Sequence, residues 1–63
     1  MWKKCYNLSI TYNNGITIFY DNIQYKKGSK YFRFRKLYDK TLHSEIPLED
    51  IKRIRCGDNG KEI

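Results

Sequence analysis

Few residues of this chain are of the kinds that catalyse reactions or bind metal ions. His43 is the only histidine, and the two cysteines, Cys5 and Cys56, lie near opposite ends of the 63 residues. With no Cys-x-x-Cys spacing and a single histidine, a zinc site would lack convincing ligands. Ser44 and Glu45 adjoin His43, but neighbouring residues of a strand point to opposite faces. We therefore interpret His43 as a surface residue and not as a general base.

Two other short motifs also favour structural roles over catalytic ones. Glu49 and Asp50 follow Pro47 at the start of a predicted helical turn, where carboxylates interact favourably with the exposed N–H groups. The segment KKGSK, residues 26–30, has one glycine and lacks the Walker pattern, so a hairpin turn explains it better than a phosphate-binding loop. We therefore predict a protein that is not an enzyme and that needs no metal ion or cofactor.

The cysteines and the hydropathy bear on where the protein resides. A reducing cytoplasm would leave Cys5 and Cys56 as half-buried thiols, although pairing of the terminal strands would bring them close enough to form a disulfide. No apolar run has the length of a secretory signal or of a membrane span. A cytoplasmic location without membrane interaction is the default expectation.

Positive charge is concentrated in one part of the chain. The formal net charge is +6, and the chain outside residues 26–40 contributes none of it, because its basic and acidic residues balance. Within residues 26–40 Asp39 is the single acid, and the basic residues are Lys26, Lys27, Lys30, Arg33, Arg35, Lys36 and Lys40. Such a segment favours an acidic partner, either nucleic acid or an acidic or nucleic-acid-bound protein.

Aromatic residues accompany these cations. Tyr31 lies among them, Phe19 is expected on an exposed face, and Trp2 must either pack on the domain or anchor a partner. Bases stack on aromatic rings while guanidinium groups pair with phosphates, which is the pattern of RNA or single-stranded DNA binding. The predicted binding residues are Trp2, Phe19, Lys26, Lys27, Lys30, Tyr31, Arg33, Arg35 and Lys36. The alternative is a solvated edge strand whose cations only prevent aggregation.

The elements that must position these residues begin with a hairpin around TYNNGITIFY, residues 11–20. A three-residue loop with Gly15 in the left-handed conformation pairs Tyr12 with Ile16 and Ile10 with Ile18, so the apolar residues share one face. Beyond Asn22 the apolar phase shifts, which predicts a bulge or sharp bend in the second strand. Strict alternation in the first strand places Tyr6, Leu8, Ile10 and Tyr12 on one face and Cys5, Asn7, Ser9 and Thr11 on the other.

A second hairpin is expected around KKGSK. A two-residue loop of Gly28 and Ser29 pairs Tyr25 with Phe32 and Ile23 with Phe34. The third strand then directs Phe32 and Phe34 inward and Tyr31, Arg33 and Arg35 outward. A turn at residues 39–41 returns the chain so that Ile46 opposes Phe34, and IPLEDIKRI, residues 46–54, predicts one helical turn before a last strand, Ile54 to Cys56.

These elements predict an all-β domain of five antiparallel strands with one short helical turn before the last strand. This pattern resembles the SH3-like and Sm-like small barrels, and an OB-like barrel is the alternative. We assign residues 1–56 to a single small β-barrel domain and residues 57–63 to a flexible C-terminal tail.

Three functions are compatible with this arrangement. The first is a non-enzymatic nucleic-acid-binding module that contacts phosphates through the hairpin of residues 23–37. The second is a small inhibitor or adaptor, resembling anti-CRISPR proteins in its role, that acts on a host nucleic-acid machine such as a defence nuclease. Codon bias permits this origin, because abundant Ile, Lys, Asn and Tyr indicate an AT-rich genome, that of a low-GC bacterium or of one of its phages or plasmids. The third is a homo-oligomer that assembles through edge strands.

Overall fold

Strands occupy the segments rich in isoleucine, tyrosine, phenylalanine and threonine, residue types that pack well on a pleated surface. The computed structural model describes residues 1–39, 41, 43–57 and 60–63, which form one antiparallel sheet of six strands and a single 3₁₀ turn, Leu48–Asp50. The strands are β1 (Lys3–Tyr12), β2 (Thr17–Lys27), β3 (Tyr31–Lys36), β4 (His43–Pro47), β5 (Ile51–Cys56) and β6 (Lys61–Glu62), in the sheet order β4-β3-β2-β1-β5-β6. The all-β prediction is confirmed.

The first hairpin has the predicted register. Ile10 pairs with Ile18, and the Tyr12 N–H donates to the Ile16 carbonyl at 2.8 Å. Gly15 has a φ of 89°, which a residue with a Cβ rarely adopts, and the Ile16 N–H donates to the Asn14 side chain at 3.0 Å. The loop therefore fixes which residues of β1 and β2 face the core.

A kink crosses β1 and β2 at Tyr6 and Asn22. The predicted phase shift in β2 is present, and Asn22 has a positive φ of 50°, which asparagine tolerates better than most residues. The expected alternation in β1 is wrong at this point, because Cys5 is buried whereas Tyr6 is 49% exposed. Pairing has the same register on both sides of the kink, so each strand has one extra residue there and both strands change faces together.

The second hairpin and the return to β4 are each displaced by two residues from the predicted register. Tyr25 pairs with Phe34 and not with Phe32, and Ile46 pairs with Phe32. The tight turn is centred on Ser29 and Lys30 instead of Gly28 and Ser29, since the Gly28 N–H donates to the Tyr31 carbonyl at 2.9 Å. A shift of two residues leaves every side chain on its predicted face.

The core lies on the inner face of the sheet. Tyr20 and Phe34 pack with ring centroids 4.6 Å apart, and Phe32 lies 6.0 Å from Phe34. No polar or charged side chain is buried among the described residues. The buried residues are Cys5, Leu8, Ile10, Ile23, Phe32, Phe34, Ile54 and Cys56.

The predicted helical turn is confirmed, and it joins the loops of both hairpins. The Leu48 N–H donates to the Lys30 carbonyl at 2.8 Å, and the Asn13 side chain donates to the Glu49 carbonyl at 2.6 Å.

The expected closed five-stranded barrel is not formed: the sheet is open and contains a sixth strand. β6 pairs with the free side of β5, with Arg55 opposite Glu62, so β4 and β6 are the two sheet edges.

A disulfide joins Cys5 of β1 to Cys56 of β5, with the two Cα atoms 6.0 Å apart. The structure thus has the bridged state and not the free thiols expected of a reducing compartment. The closed loop spans a sequence separation of 51 residues, which corresponds to about 4 kcal/mol of stabilisation in the chain-entropy description. Among the described residues, no helix has the length and apolar character needed to cross a bilayer.

Candidate nucleic-acid interface

Two neighbouring cross-strand rows on the outer face of β1–β3 are rich in positive charge. Residues opposite each other in an antiparallel pair share a face, with Cβ atoms about 4.5–5.5 Å apart. In one row Gln24 lies between Lys4 and Arg35, and in the next Lys26 lies opposite Arg33. We name this surface the basic face; it consists of Trp2, Lys4, Gln24, Lys26, Arg33, Arg35 and Tyr31, which lies two residues before Arg33 and so on the same side of β3.

Arg35 has the most constrained side chain of the basic face. Its guanidinium carbon lies 4.0 Å from the centroid of the Trp2 ring, a cation–π contact, and its Nε donates to the Gln24 side chain at 3.1 Å. Among the described residues it forms no ion pair with a carboxylate. The stack therefore fixes the Trp2 indole on the sheet and leaves the Arg35 charge uncompensated by an acid.

Arg33 lies between a like charge and an opposite one. Its Nε donates to Glu45 Oε2 of β4 at 2.7 Å, and both side chains are about half exposed. On its other side it faces Lys26 directly across the ladder. Like charges in directly opposed positions destabilise a sheet. Glu45 relieves part of this repulsion, and an anionic ligand would relieve more.

The structure brings together five of the predicted binding residues: Trp2, Lys26, Tyr31, Arg33 and Arg35. Lys27 and Lys36 lie on the inner side of the sheet, because they pair with the buried Phe32 and Ile23. Lys30 lies in the turn between β2 and β3. The Lys40 of the predicted cluster lies outside the described residues. Period-two alternation explains this division, since adjacent strand residues such as Lys26 and Lys27 face opposite ways.

Phe19 is exposed as predicted but lies beyond the kink, away from the basic face. Its side chain is 75% exposed and sits opposite Ser9, whose other cross-strand neighbour is Arg55. Arg53 lies in the next row, opposite Thr11. Phe19, Arg53 and Arg55 form a second patch on the outer face, which we name the distal patch.

Three outer-face cations were not predicted from the sequence: Lys4, Arg53 and Arg55. Along the chain, the basic and acidic residues outside 26–40 balance, so charge by segment does not reveal these three. The signal was present in the alternation of each strand, but using it required the pairing of β1 with both β2 and β5. Charge on a sheet is distributed by register and not by position in the sequence.

Groups that could hold a metal ion are not clustered in the described part of the chain. No three His, Cys, Asp or Glu side chains there lie close enough to hold a metal ion. His43 is exposed opposite Arg35, whereas Ser44 pairs with the buried Phe34 and so faces the other way. Burial raises the pKa of the Tyr12 phenol, and the hydrogen-bonded hydroxyl of Tyr20 adds to the increase.

Comparison with protein-family models, with curated proteins and with solved structures finds no match for this chain. Its functional assignment therefore rests on the geometry of the basic face.

Proposed function

We propose that the protein is a non-enzymatic module that binds RNA or single-stranded DNA through the basic face, chiefly by contacts to phosphates. The observation that supports this proposal is the arrangement of four cations from three strands in two neighbouring rows of one face, where one of them, Arg35, is stacked on the Trp2 ring. These cations are Lys4, Lys26, Arg33 and Arg35. Phosphates are bound by such cations, and bases stack on aromatic side chains beside them.

The energetic cost of this arrangement gives a second argument. Lys26 and Arg33 face each other across the ladder, in a small domain whose stability has little margin. A surface that served only to keep an edge strand soluble would need neither this pairing nor a central location. β2 and β3 are both interior strands of the sheet. The solvated-edge alternative therefore does not account for the position of these cations.

Salt dependence tests the proposal. If all four cations contact phosphates of a single strand, log K should fall with log salt at a slope of about −2.8, or about 50-fold between 50 and 200 mM. Anisotropy of a fluorescently labelled oligonucleotide measures this slope. The Lys26→Gln variant should lower its magnitude by about 0.7.

Lys27→Gln is the matched control, because it removes the same charge from the adjacent residue on the opposite face. It should leave the slope close to that of the unaltered protein. Absent or salt-independent binding, or equal effects of the two variants, would reject the proposal.

The inhibitor or adaptor hypothesis assigns the same face to an acidic protein groove. Arg33 already binds the Glu45 carboxylate, so the face accepts carboxylates as well as phosphates. A pull-down from host lysate with and without nuclease treatment separates the two functions. A defined protein partner retained after nuclease treatment, together with no measurable oligonucleotide binding, would favour the inhibitor.

A further inference from the structure

We infer that the ligand is a single strand that runs along β1 across the outer face, from Trp2 on the basic face to Phe19 on the distal patch. This inference rests on the proposed function and adds to it the ligand's path, its minimum length and, for RNA, the unpaired state of the bound segment.

The two patches lie on one continuous surface. Strand β1 contributes to both of them: Lys4 stands in the row of Arg35, and Ser9 stands between Phe19 and Arg55. From Trp2 to Ser9 the chain advances seven residues, or at most about 23 Å at about 3.3 Å per residue. In one strand of a DNA duplex successive phosphates advance about 3.4 Å along the axis, so a fully stacked strand covers that distance in about seven nucleotides and a more extended strand covers it in fewer.

The distal patch has the same chemical components as the basic face. Phe19 presents an exposed ring, and Arg55 lies in the same cross-strand row with Ser9 of β1 between them. The Arg55 Nη2 donates to the Gly60 carbonyl at 3.4 Å, and Arg53 pairs with Glu62 at 3.2 Å. Each end of the path therefore has an aromatic ring and an arginine on the same face, so each end can stack a base and bind a phosphate.

Between the two patches, the part of the outer face that the structure describes carries one carboxylate. Asp21 is exposed and pairs with Asn7 at the kink. A phosphate chain that crosses this position is repelled by Asp21, whereas a short ligand confined to the basic face is not. Removing the Asp21 charge should therefore strengthen binding of a long ligand, whereas removing the Phe19 ring should weaken it.

Unpaired bases are what these rings can accept. In a duplex the faces of the bases are stacked on one another, whereas a single strand leaves them free for aromatic side chains. The two ring sites lie far apart along the strand, so they favour a flexible chain over a rigid helix.

Oligonucleotide length tests the inference. Labelled oligothymidylates and oligouridylates of 4, 6, 8, 10 and 12 nucleotides, and a 12-base-pair duplex, are titrated with the protein and followed by anisotropy. Affinity should rise steeply between 4 and 8 nucleotides and exceed that for the duplex. Phe19→Ala should weaken binding of the 12-mer by at least about fivefold and leave the 4-mer unchanged. Asp21→Asn should tighten binding of the 12-mer only.

Tyr38→Ala is the matched control, because Tyr38 is an exposed aromatic, 85% accessible, outside both patches. It should change neither affinity. Circular dichroism checks that Phe19→Ala, whose site is exposed, keeps the fold.

The outcomes distinguish the path from the function. A smooth dependence on length, or a 12-mer insensitive to Phe19→Ala while Lys26→Gln still weakens binding, would overturn the path and leave the proposed function standing. Tighter binding of the duplex would overturn the single strand. Absence of binding at every length would overturn both.

Discussion

Replacement of Glu45 by glutamine should tighten nucleic-acid binding. Glu45 is the carboxylate that pairs with Arg33, with Nε and Oε2 2.7 Å apart. A phosphate that binds Arg33 must compete with it. Glutamine has nearly the same shape but no charge, so the variant removes the competitor and retains the β4 strand.

The magnitude follows from the exposure of the pair. The two side chains are 47% and 44% exposed, and ion pairs at such exposed sites are worth about 0.2–1 kcal/mol. If the phosphate contact requires this pair to open, Glu45→Gln should increase affinity by about 1.4- to 5-fold. The stability of the domain should fall by no more than about 1 kcal/mol.

The control for this experiment is Glu49→Gln. Glu49 is an exposed residue of the 3₁₀ turn, outside the two rows of the basic face. Each variant raises the net charge by one, so both change the long-range attraction to the ligand in the same direction. Anisotropy titrations at 50, 100 and 200 mM salt compare the three proteins. An affinity gain for Glu45→Gln no larger than that for Glu49→Gln would refute the competition.

Two further predictions concern stability. Reduction of the Cys5–Cys56 disulfide should lower the free energy of unfolding by about 2–4 kcal/mol in urea titrations. The control is a Cys5→Ala, Cys56→Ala double variant, whose unfolding midpoint a reductant should not change. An unchanged midpoint in the unaltered protein would contradict the prediction. Because the folded pKa of Tyr12 lies above the ordinary value of 10.0, the unfolded chain loses that proton first. Stability should therefore be unaffected by this group below about pH 10 and should fall as the pH rises from there through the folded pKa. Tyr12→Phe should reduce the loss of stability above about pH 10, whereas Tyr38→Phe, at an exposed side chain, should not.

The first hairpin could be predicted because its two candidate loops place the apolar residues differently. A two-residue Asn14-Gly15 turn would have split Ile10 and Ile18 between faces, so burial selected the register. In the second hairpin, turns centred on Gly28-Ser29 and on Ser29-Lys30 give pairing registers that differ by two residues, so each side chain stays on the same face of the sheet in both. Hydrophobic pattern cannot separate such alternatives, so the error in register did not disturb the predicted faces.

The parts of the site that were not predicted depend on contacts between distant segments. Arg33 and Arg35 were placed outward from alternation alone, but their partners Glu45 and Trp2 come from β4 and from the residue before β1. The kink at Tyr6 gave no signal in residue type, since both Cys5 and Tyr6 are compatible with a buried position. Strict alternation without the kink places Cys5 on the face opposite Leu8 and Ile10, so the disulfide with Cys56 could be offered from the sequence only as an alternative to free thiols.

The disulfide and the ligand act on the same limited stability. Among the described residues the buried core consists of eight side chains, and repulsion between the opposed cations on β2 and β3 lowers the net stability of the fold. A ligand that binds only the folded state at 100 times its Kd adds about 2.7 kcal/mol, comparable to the about 2–4 kcal/mol of the disulfide. The two contributions come from different sources, one from restricting the unfolded chain and the other from neutralising the folded surface. They should therefore add, and the ligand-induced increase in unfolding free energy should be the same in the oxidised and the reduced protein.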